Sequence, residues 1–251
     1  MSDYTIAENY TLPSKGKIYD IEVDPHIKIR SMTTQEEMKR LAPSDLPYKN
    51  MCEIIDDCLV EGPDISAYDM CIGDYQFLLH KLRVVTYGNK YSISNVCPFC
   101  NHLNTKTVNL DELQLLTFEE DLKKYLEFDL PLTKKHIKLN VQTPRMLDNI
   151  TELVKEFRRK SNNAADDPSL IYTICQLIDT VDSKKQNPIK LEQWVRDLPM
   201  KDTNTILSYA EKINTSIGVK NDLTVQCELC TLEYNTVFKM TSEFFRPALD
   251  I

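Results

Sequence analysis

Over residues 1–32 the apolar positions keep no single period along the chain. Leu12-Pro13-Ser14-Lys15-Gly16 reads as a turn, and Ile21, Val23, Ile27 and Ile29 after it alternate as in a strand, so an extended N-terminal arm and strand is expected. Thr34 and Glu37 have capping-box spacing and predict a short helix through Met38 and Leu41. Pro47 opens a second helix running to about Val60. From Asp69 to Val85 a third is predicted, because Cys71, Tyr75, Leu78, Leu79 and Leu82 fall at i, i+4, i+7, i+8 and i+11 and form one stripe. Tyr87-Gly88-Asn89-Lys90 is turn chemistry.

Beyond this turn the period changes to two. Tyr91 to Val96 is β-like and leads into Cys97-Pro98-Phe99-Cys100, with a second alternating run from Thr105 to Leu110. Leu223 to Gln226, Cys227-Glu228-Leu229-Cys230 and Tyr234 to Met240 repeat the arrangement near the other end. Between them, Leu126 to Leu130 and His136 to Val141 read as a β-hairpin, and Thr143-Pro144 starts a helix carried by Leu147, Ile150, Val154 and Phe157 to about Arg159. Residues 161–168 read as a loop, followed by helices at about 169–181, 190–197 and 202–217, the last stopped by Gly218. The expected fold class is α+β, mostly helical, with a split zinc-ribbon-like element built from two Cys-x-x-Cys hairpins. Four segments follow: 1–32, the arm and strand; 33–110, helices and the first knuckle; 111–218, a hairpin and helical insertion; 219–251, the second knuckle and tail.

Composition changes this picture in two respects. The 251 residues carry a formal charge of −8 and a sequence pI near 5.1, which argues against a chain built to hold nucleic acid. No apolar stretch approaches the roughly 20 residues of a membrane helix, and the first residues lack the charged and apolar regions of an export signal. Folding in cytoplasm is therefore expected, where eight cysteines would be reduced thiols rather than disulfides. Cys52, Cys58, Cys71 and Cys175 lie singly on apolar helix faces and are expected to be small core residues.

The paired cysteines Cys97, Cys100, Cys227 and Cys230 are the candidate metal ligands. A Cys-x-x-Cys turn brings two sulfurs to one point, and two turns supply the four thiolates of a closed tetrahedral Zn²⁺ site. Iron in a rubredoxin-like site would use the same ligands, so it stays open beside zinc. A redox Cys-x-x-Cys normally opens a helix that lowers the thiol pKa, whereas both pairs here lead into β-branched, Thr-rich segments. His102 is close enough in sequence to replace a sulfur, but four thiolates already complete a set. Cys100 and Cys227 are 127 positions apart, so a shared ion would clamp the base of the long region between them.

Other chemistry is sparse. Five glycines supply no G-x-G-x-x-G and no Walker loop, H-E-x-x-H and G-x-S-x-G are absent, and His26, His80, His102 and His136 are isolated. Asp56-Asp57 and Glu119-Glu120 are neighbours in sequence and diverge on a helix, unlike a paired-carboxylate site. No enzymatic role is expected. A zinc-ribbon nucleic-acid protein is the alternative, but Glu228 and Glu233 flank the second knuckle, and the basic cluster Arg158-Arg159-Lys160 ends a predicted helix, where the dipole favours cations without any ligand.

Several signatures occur together in one order: Leu12-Pro13-Ser14-Lys15-Gly16-Lys17-Ile18-Tyr19, Leu82-Arg83-Val84-Val85-Thr86-Tyr87-Gly88, the two Cys-x-x-Cys pairs, and Phe244-Phe245-Arg246-Pro247. In these the chain resembles the baseplate hub protein family of T-even-type contractile-tailed bacteriophages over nearly its whole length. The resemblance implies a part in virion morphogenesis, either as a hub subunit or as a transient assembly catalyst absent from the virion. It also implies other hub and tail proteins as partners, no small-molecule substrate, and a location in host cytoplasm during assembly or in the tail baseplate. For such a protein the segment Tyr10–Tyr19, with Leu12, Ile18 and Tyr19, is expected either to be an arm that orders on a partner or to pack on its own domain. Phe244 to Leu249 offers the same two choices, partner anchor or core.

Overall fold

The computed structural model describes residues 5–160, 166–237 and 242–245. Strand β1 (Ala7–Thr11) pairs antiparallel with β2 (His26–Arg30), Ala7 opposite Arg30 and Thr11 opposite His26. Helices α1 (Thr34–Leu41) and α2 (Pro47–Cys58) follow, and β3 (Leu59–Glu61) then joins the free edge of β2. The capping box of α1 lies one residue earlier than its spacing suggests. Thr33 is the N-cap and its backbone N–H donates to Glu36 at 2.7 Å, because Glu36 is buried where Arg30 also reaches it at 2.9 Å. The Arg30 guanidinium, with the Thr33 hydroxyl and N–H, outweighs the opposing effect of burial and holds the Glu36 carboxyl pKa down at about 2. The helix runs through Met38 and Leu41 as its spacing predicts, and both side chains are exposed, 69% and 66%.

Helix α3 (Ile72–Tyr87) runs through the centre of this half. It starts at Ile72 rather than Asp69, since the Asp69 N–H closes a turn on Ser66 O and the Ile72 N–H bonds Gln142 O. The predicted stripe is too narrow. Gly73, Asp74, Phe77, His80 and Arg83 are buried as well, so α3 is covered on nearly every face. Around it pack Ile27 and Ile29 of β2, Ile54 and Ile55 of α2, Leu78 and Leu82 of α3 itself, and Phe244 and Phe245.

Of the two choices for the Leu12–Tyr19 segment, packing on its own domain is the one observed. Leu12 is 1% and Ile18 5% exposed, and the buried carboxylate of Asp74 accepts the Ser14 N–H at 2.9 Å and the Tyr19 hydroxyl at 2.6 Å. Two backbone and side-chain donors from this segment thus satisfy a carboxylate that burial would otherwise leave uncompensated. For Phe244-Phe245 the core choice is likewise the one observed, since both rings are core; residues 246–249 lie outside the described residues.

Beyond α3 come the hairpin β4 (Lys90–Val96) and β5 (Leu103–Asn109), and the short β6 (Leu115–Leu116). Next, β7 (Glu127–Asp129) and β8 (His136–Leu139) form the predicted second hairpin. Helix α4 (Pro144–Lys160) starts at the proline after Thr143, and its Asp148 reaches back to accept the Lys49 N–H at 2.9 Å at the start of α2. The predicted loop falls partly on residues 161–165, outside the described residues.

Helix α5 (Ser169–Leu177) ends four residues before the expected stop, because Ile178 to Val181 become β9 on the open edge of β8. An apolar run with β-branched residues cannot be assigned by periodicity alone, and here a free strand edge decides it. Helices α6 (Pro188–Arg196) and α7 (Met200–Thr215) complete a second core of Leu130, Ile137, Leu139, Ile174, Leu177, Leu191 and Ile206. Asp202 at the start of α7, fully buried, accepts the Leu132 and Thr133 N–H groups at 2.8 and 2.9 Å and so fixes the β7–β8 turn.

Gly218 does more than stop α7: with Val219 it forms β10, antiparallel to β6, and leads to the hairpin β11 (Asp222–Gln226) and β12 (Glu233–Val237). All strand pairings among the described residues are antiparallel, and helices and strands are mixed along the chain. The tail of the predicted final strand, residues 238–240, lies outside the described residues.

The two halves meet where α3 touches β10. A Cβ on Gly73 would lie 2.4 Å from Ile217 O, and Gly218 at φ +108° would place one 2.9 Å from Gly73 O. Both obstacles are backbone and cannot swing aside. Gly73→Ala is expected to cost about 2–3 kcal/mol by overpacking and to lower the thermal midpoint by roughly 4–12 °C, measured by circular dichroism. An unchanged midpoint would show that the two halves are not in such contact.

His80 on α3 is 2% exposed; its Nε2 lies 3.0 Å from Leu110 O and its Nδ1 has no hydrogen-bond partner. Burial, then the neighbouring Lys81, pull its pKa down to about 4. The folded value is lower than the unfolded one, so the unfolded chain binds the extra proton and stability is lost as pH falls from about 6.5 toward 4, by up to about 3 kcal/mol. Denaturant midpoints measured across that window should fall with acidification in the natural chain and fall less in His80→Gln.

Candidate metal centre

The two Cys-x-x-Cys turns sit at the tips of the β4–β5 and β11–β12 hairpins, and both have the same backbone bonds. The Cys97 N–H donates to His102 O at 2.8 Å and the Asn101 N–H returns to Cys97 O at 3.0 Å. In the second turn Cys227 N–H reaches Leu232 O and Thr231 N–H reaches Cys227 O, each at 3.0 Å. Asn101 and Thr231 take the left-handed conformation, φ 58° and 61°, that closes such a turn. For Asn this is a mild demand; for the β-branched Thr231 it is a strained one.

The turns face each other. One sulfur each from Cys97, Cys100, Cys227 and Cys230 lies within 4.8 Å of all the others. Cys97 Sγ is 3.7 Å from Cys230 Sγ, and Cys100 Sγ is 3.6 Å from Cys227 Sγ. A disulfide would need about 2.05 Å. A tetrahedron of sulfurs about 2.3 Å from a central ion has edges of roughly 3.8 Å, so the cross-turn separations fit an ion and exclude a covalent bridge. The four cysteines expected to meet are therefore brought together, across the 127 positions that separate the inner pair. His102 is not part of the cluster.

Proton sharing shows the same convergence. The Cys230 backbone N–H, then that of Leu229 and the Cys100 thiol, donate to Cys227 and bring its pKa down to about 6. Cys100 is lowered by the His102 N–H but raised more by burial and the neighbouring sulfurs, to about 12. Donors aimed at the Cys227 sulfur thus favour its thiolate form, and four sulfurs this close together could hold a metal ion.

Beneath the sulfurs the shared core is small: Cys97, Val225, Cys227 and Tyr234. Asn104, 2% exposed, links the turns; the pairing signal of the cysteines carries no hint of it. Its position is legible only by counting, since Asn104 and Tyr234 each stand four residues past the second cysteine of their turn.

The other single cysteines are as expected. Cys52, Cys58 and Cys71 are buried and Cys175 is half-buried, with burial pushing Cys58 to about 12 and Cys175 to about 11, which leaves them as inert thiols. Asp56 accepts from Ser66 and the Ala67 N–H while Asp57 pairs with Lys39, so that acidic pair is divided between two structural tasks. Among the described residues, no helix is long and apolar enough to cross a membrane.

A family model described as T4 bacteriophage base plate protein matches residues 4–246, nearly the whole chain, cysteine turns included. Comparison with curated proteins and with solved structures gives no match. The whole-length match shows that the chain belongs to the T4 bacteriophage base plate protein family, and that its role is in the structure or assembly of a phage baseplate.

Proposed function

We propose that this baseplate protein is a hub subunit or hub-assembly factor, non-enzymatic, working through contacts with other tail proteins, and that Cys97, Cys100, Cys227 and Cys230 bind one structural Zn²⁺. The observation that carries the metal reading is the sulfur spacing, at the tips of two hairpins that have almost no other shared core. Four thiolates with no aqueous position suit a closed, structural site. In that role the ion closes the insertion 111–218 at its base. Closing a loop of this order is worth about 4–5 kcal/mol in the chain-entropy account, and structural zinc about 10–16 kcal/mol in small peptides. Iron in the same thiolate cage is the rival.

Elemental analysis of protein purified without added metal should find one zinc per chain. Cys97→Ser or Cys230→Ser should lose the zinc and several kcal/mol of stability; full occupancy and stability in either variant would remove the metal reading.

The hub reading is supported by the family match and by the resemblance to hub proteins in the Leu12–Tyr19, Leu82–Gly88 and Phe244–Pro247 signatures. A phage lacking this protein should stall with hub intermediates, visible by gradient sedimentation of infected-cell extracts. Intact hubs in that phage would sink the reading. Mass spectrometry of purified virions separates the two forms of it: stoichiometric presence marks a component, absence a transient assembly catalyst.

A further inference from the structure

The two cysteine turns carry matching backbone hydrogen bonds and their sulfurs approach crosswise, Cys97 to Cys230 and Cys100 to Cys227, so the arrangement is pseudo-symmetric, and the residues four beyond each second cysteine, Asn104 and Tyr234, meet between them. Asn104 is on the first hairpin. Its Nδ2 donates to the Tyr234 hydroxyl of the second at 3.2 Å and to His102 O of its own at 3.3 Å, and its Oδ1 accepts the Glu228 N–H at 2.9 Å. The amide orientation is set by chemistry: a carbonyl on one side requires the NH₂, and a backbone N–H on the other requires the oxygen.

Glu228 is the first of the two residues between the cysteines of the second turn. Its counterpart in the first turn is Pro98, which has no N–H to offer. The pseudo-symmetry is therefore broken in one direction, with the side chain of the first hairpin gripping the backbone of the second turn and no reciprocal bond possible. Asn95, opposite Asn104 in β4, adds a second tie by accepting the Thr236 hydroxyl at 3.0 Å.

We propose that Asn104 is the positioning residue of the cluster: its buried amide fixes the Cys227–Cys230 turn against the Cys97–Cys100 turn, so that the four sulfurs converge before any metal arrives. This rests on the reading of the four cysteines as a ligand set. It makes the site preorganised, with the metal entering a formed cage instead of gathering two separate hairpins. Groups that orient ligands from behind typically contribute 10–100-fold to metal affinity.

The test is a Co²⁺ titration of metal-free, reduced, full-length protein, followed by thiolate-to-cobalt charge-transfer and d–d absorption. Natural protein lacking those bands would refute the ligand-set reading itself. With the bands present, Asn104→Ala should bind Co²⁺ about 10–100-fold more weakly and show altered d–d bands. Tyr234→Phe, which keeps the Glu228 bond and the ring packing, should lose roughly two- to tenfold, the worth of one neutral hydrogen bond. If Asn104→Ala fails to fold, Tyr234→Phe decides. Natural affinity and spectrum in the variants, with only the metal-free melting temperature lowered, would overturn the proposal and leave Asn104 an ordinary packing residue.

Discussion

The guanidinium of Arg83 is fully buried and has no carboxylate partner among the described residues. A cation taken out of water must be solvated by something. Here it is carbonyl oxygen: Nε donates to Phe244 O at 2.8 Å, Nη1 to Gly88 O at 2.8 Å and Nη2 to Lys90 O at 3.4 Å, with the Tyr87, Tyr91 and Phe244 rings around it. Those carbonyls belong to the end of α3, the first residue of β4 and the segment after β12. One side chain therefore holds the root of the first cysteine hairpin and the chain leaving the second at a common point. A lysine there would offer its three donors from a single nitrogen, without the planar spread that lets Nε, Nη1 and Nη2 each meet a different carbonyl.

With their roots gathered at Arg83, the hairpins run out together and their tips meet. Each is only two strands, and an isolated two-stranded hairpin is marginal in water. The polar ladders Ser92–Thr107 and Ser94–Thr105 on the first and Thr224–Asn235 on the second face solvent and bury little. Between them, among the described residues, lie Val225, Tyr234, Asn104, the sulfurs and the Asn95–Thr236 hydrogen bond. The tips consequently depend on the cysteine cluster and its hydrogen-bonded amide, whereas the roots depend on a large apolar core.

Much of this was legible in the sequence, and the reasons differ by element. The cysteine spacing pointed to the cluster because each Cys-x-x-Cys turn brings two sulfurs to one hairpin tip, and the two tips meet. Pro47 and Pro144 marked helix starts because a fixed φ and a missing N–H cost nothing there. What escaped was whatever a neighbour decides. Ile178 to Val181 is a strand because β8 offers an edge; α1 exposes Met38 and Leu41 because its Glu36 is claimed by Arg30; and the Leu12–Tyr19 segment is core because Asp74, sixty residues on from Ser14, needs donors. Arg83 and Asn104 are polar residues doing buried work, and no periodicity distinguishes them from surface.

The same reasoning accounts for why the resemblance signatures are scattered in sequence yet form one set. Ser14 and Tyr19 of the first bond Asp74 on α3; Arg83 of the second bonds Phe244 of the last; and the hairpin rooted beside Arg83 carries half of the cysteine pairs. The first, second and last signatures are thus bonded to α3 or are part of it, and the first cysteine pair lies on the hairpin that follows it. A fold organised around one enclosed helix concentrates its strictest demands on the polar residues that serve that helix, because an unsatisfied buried donor or acceptor costs about 1–3 kcal/mol while an apolar contact can be exchanged for another of similar volume.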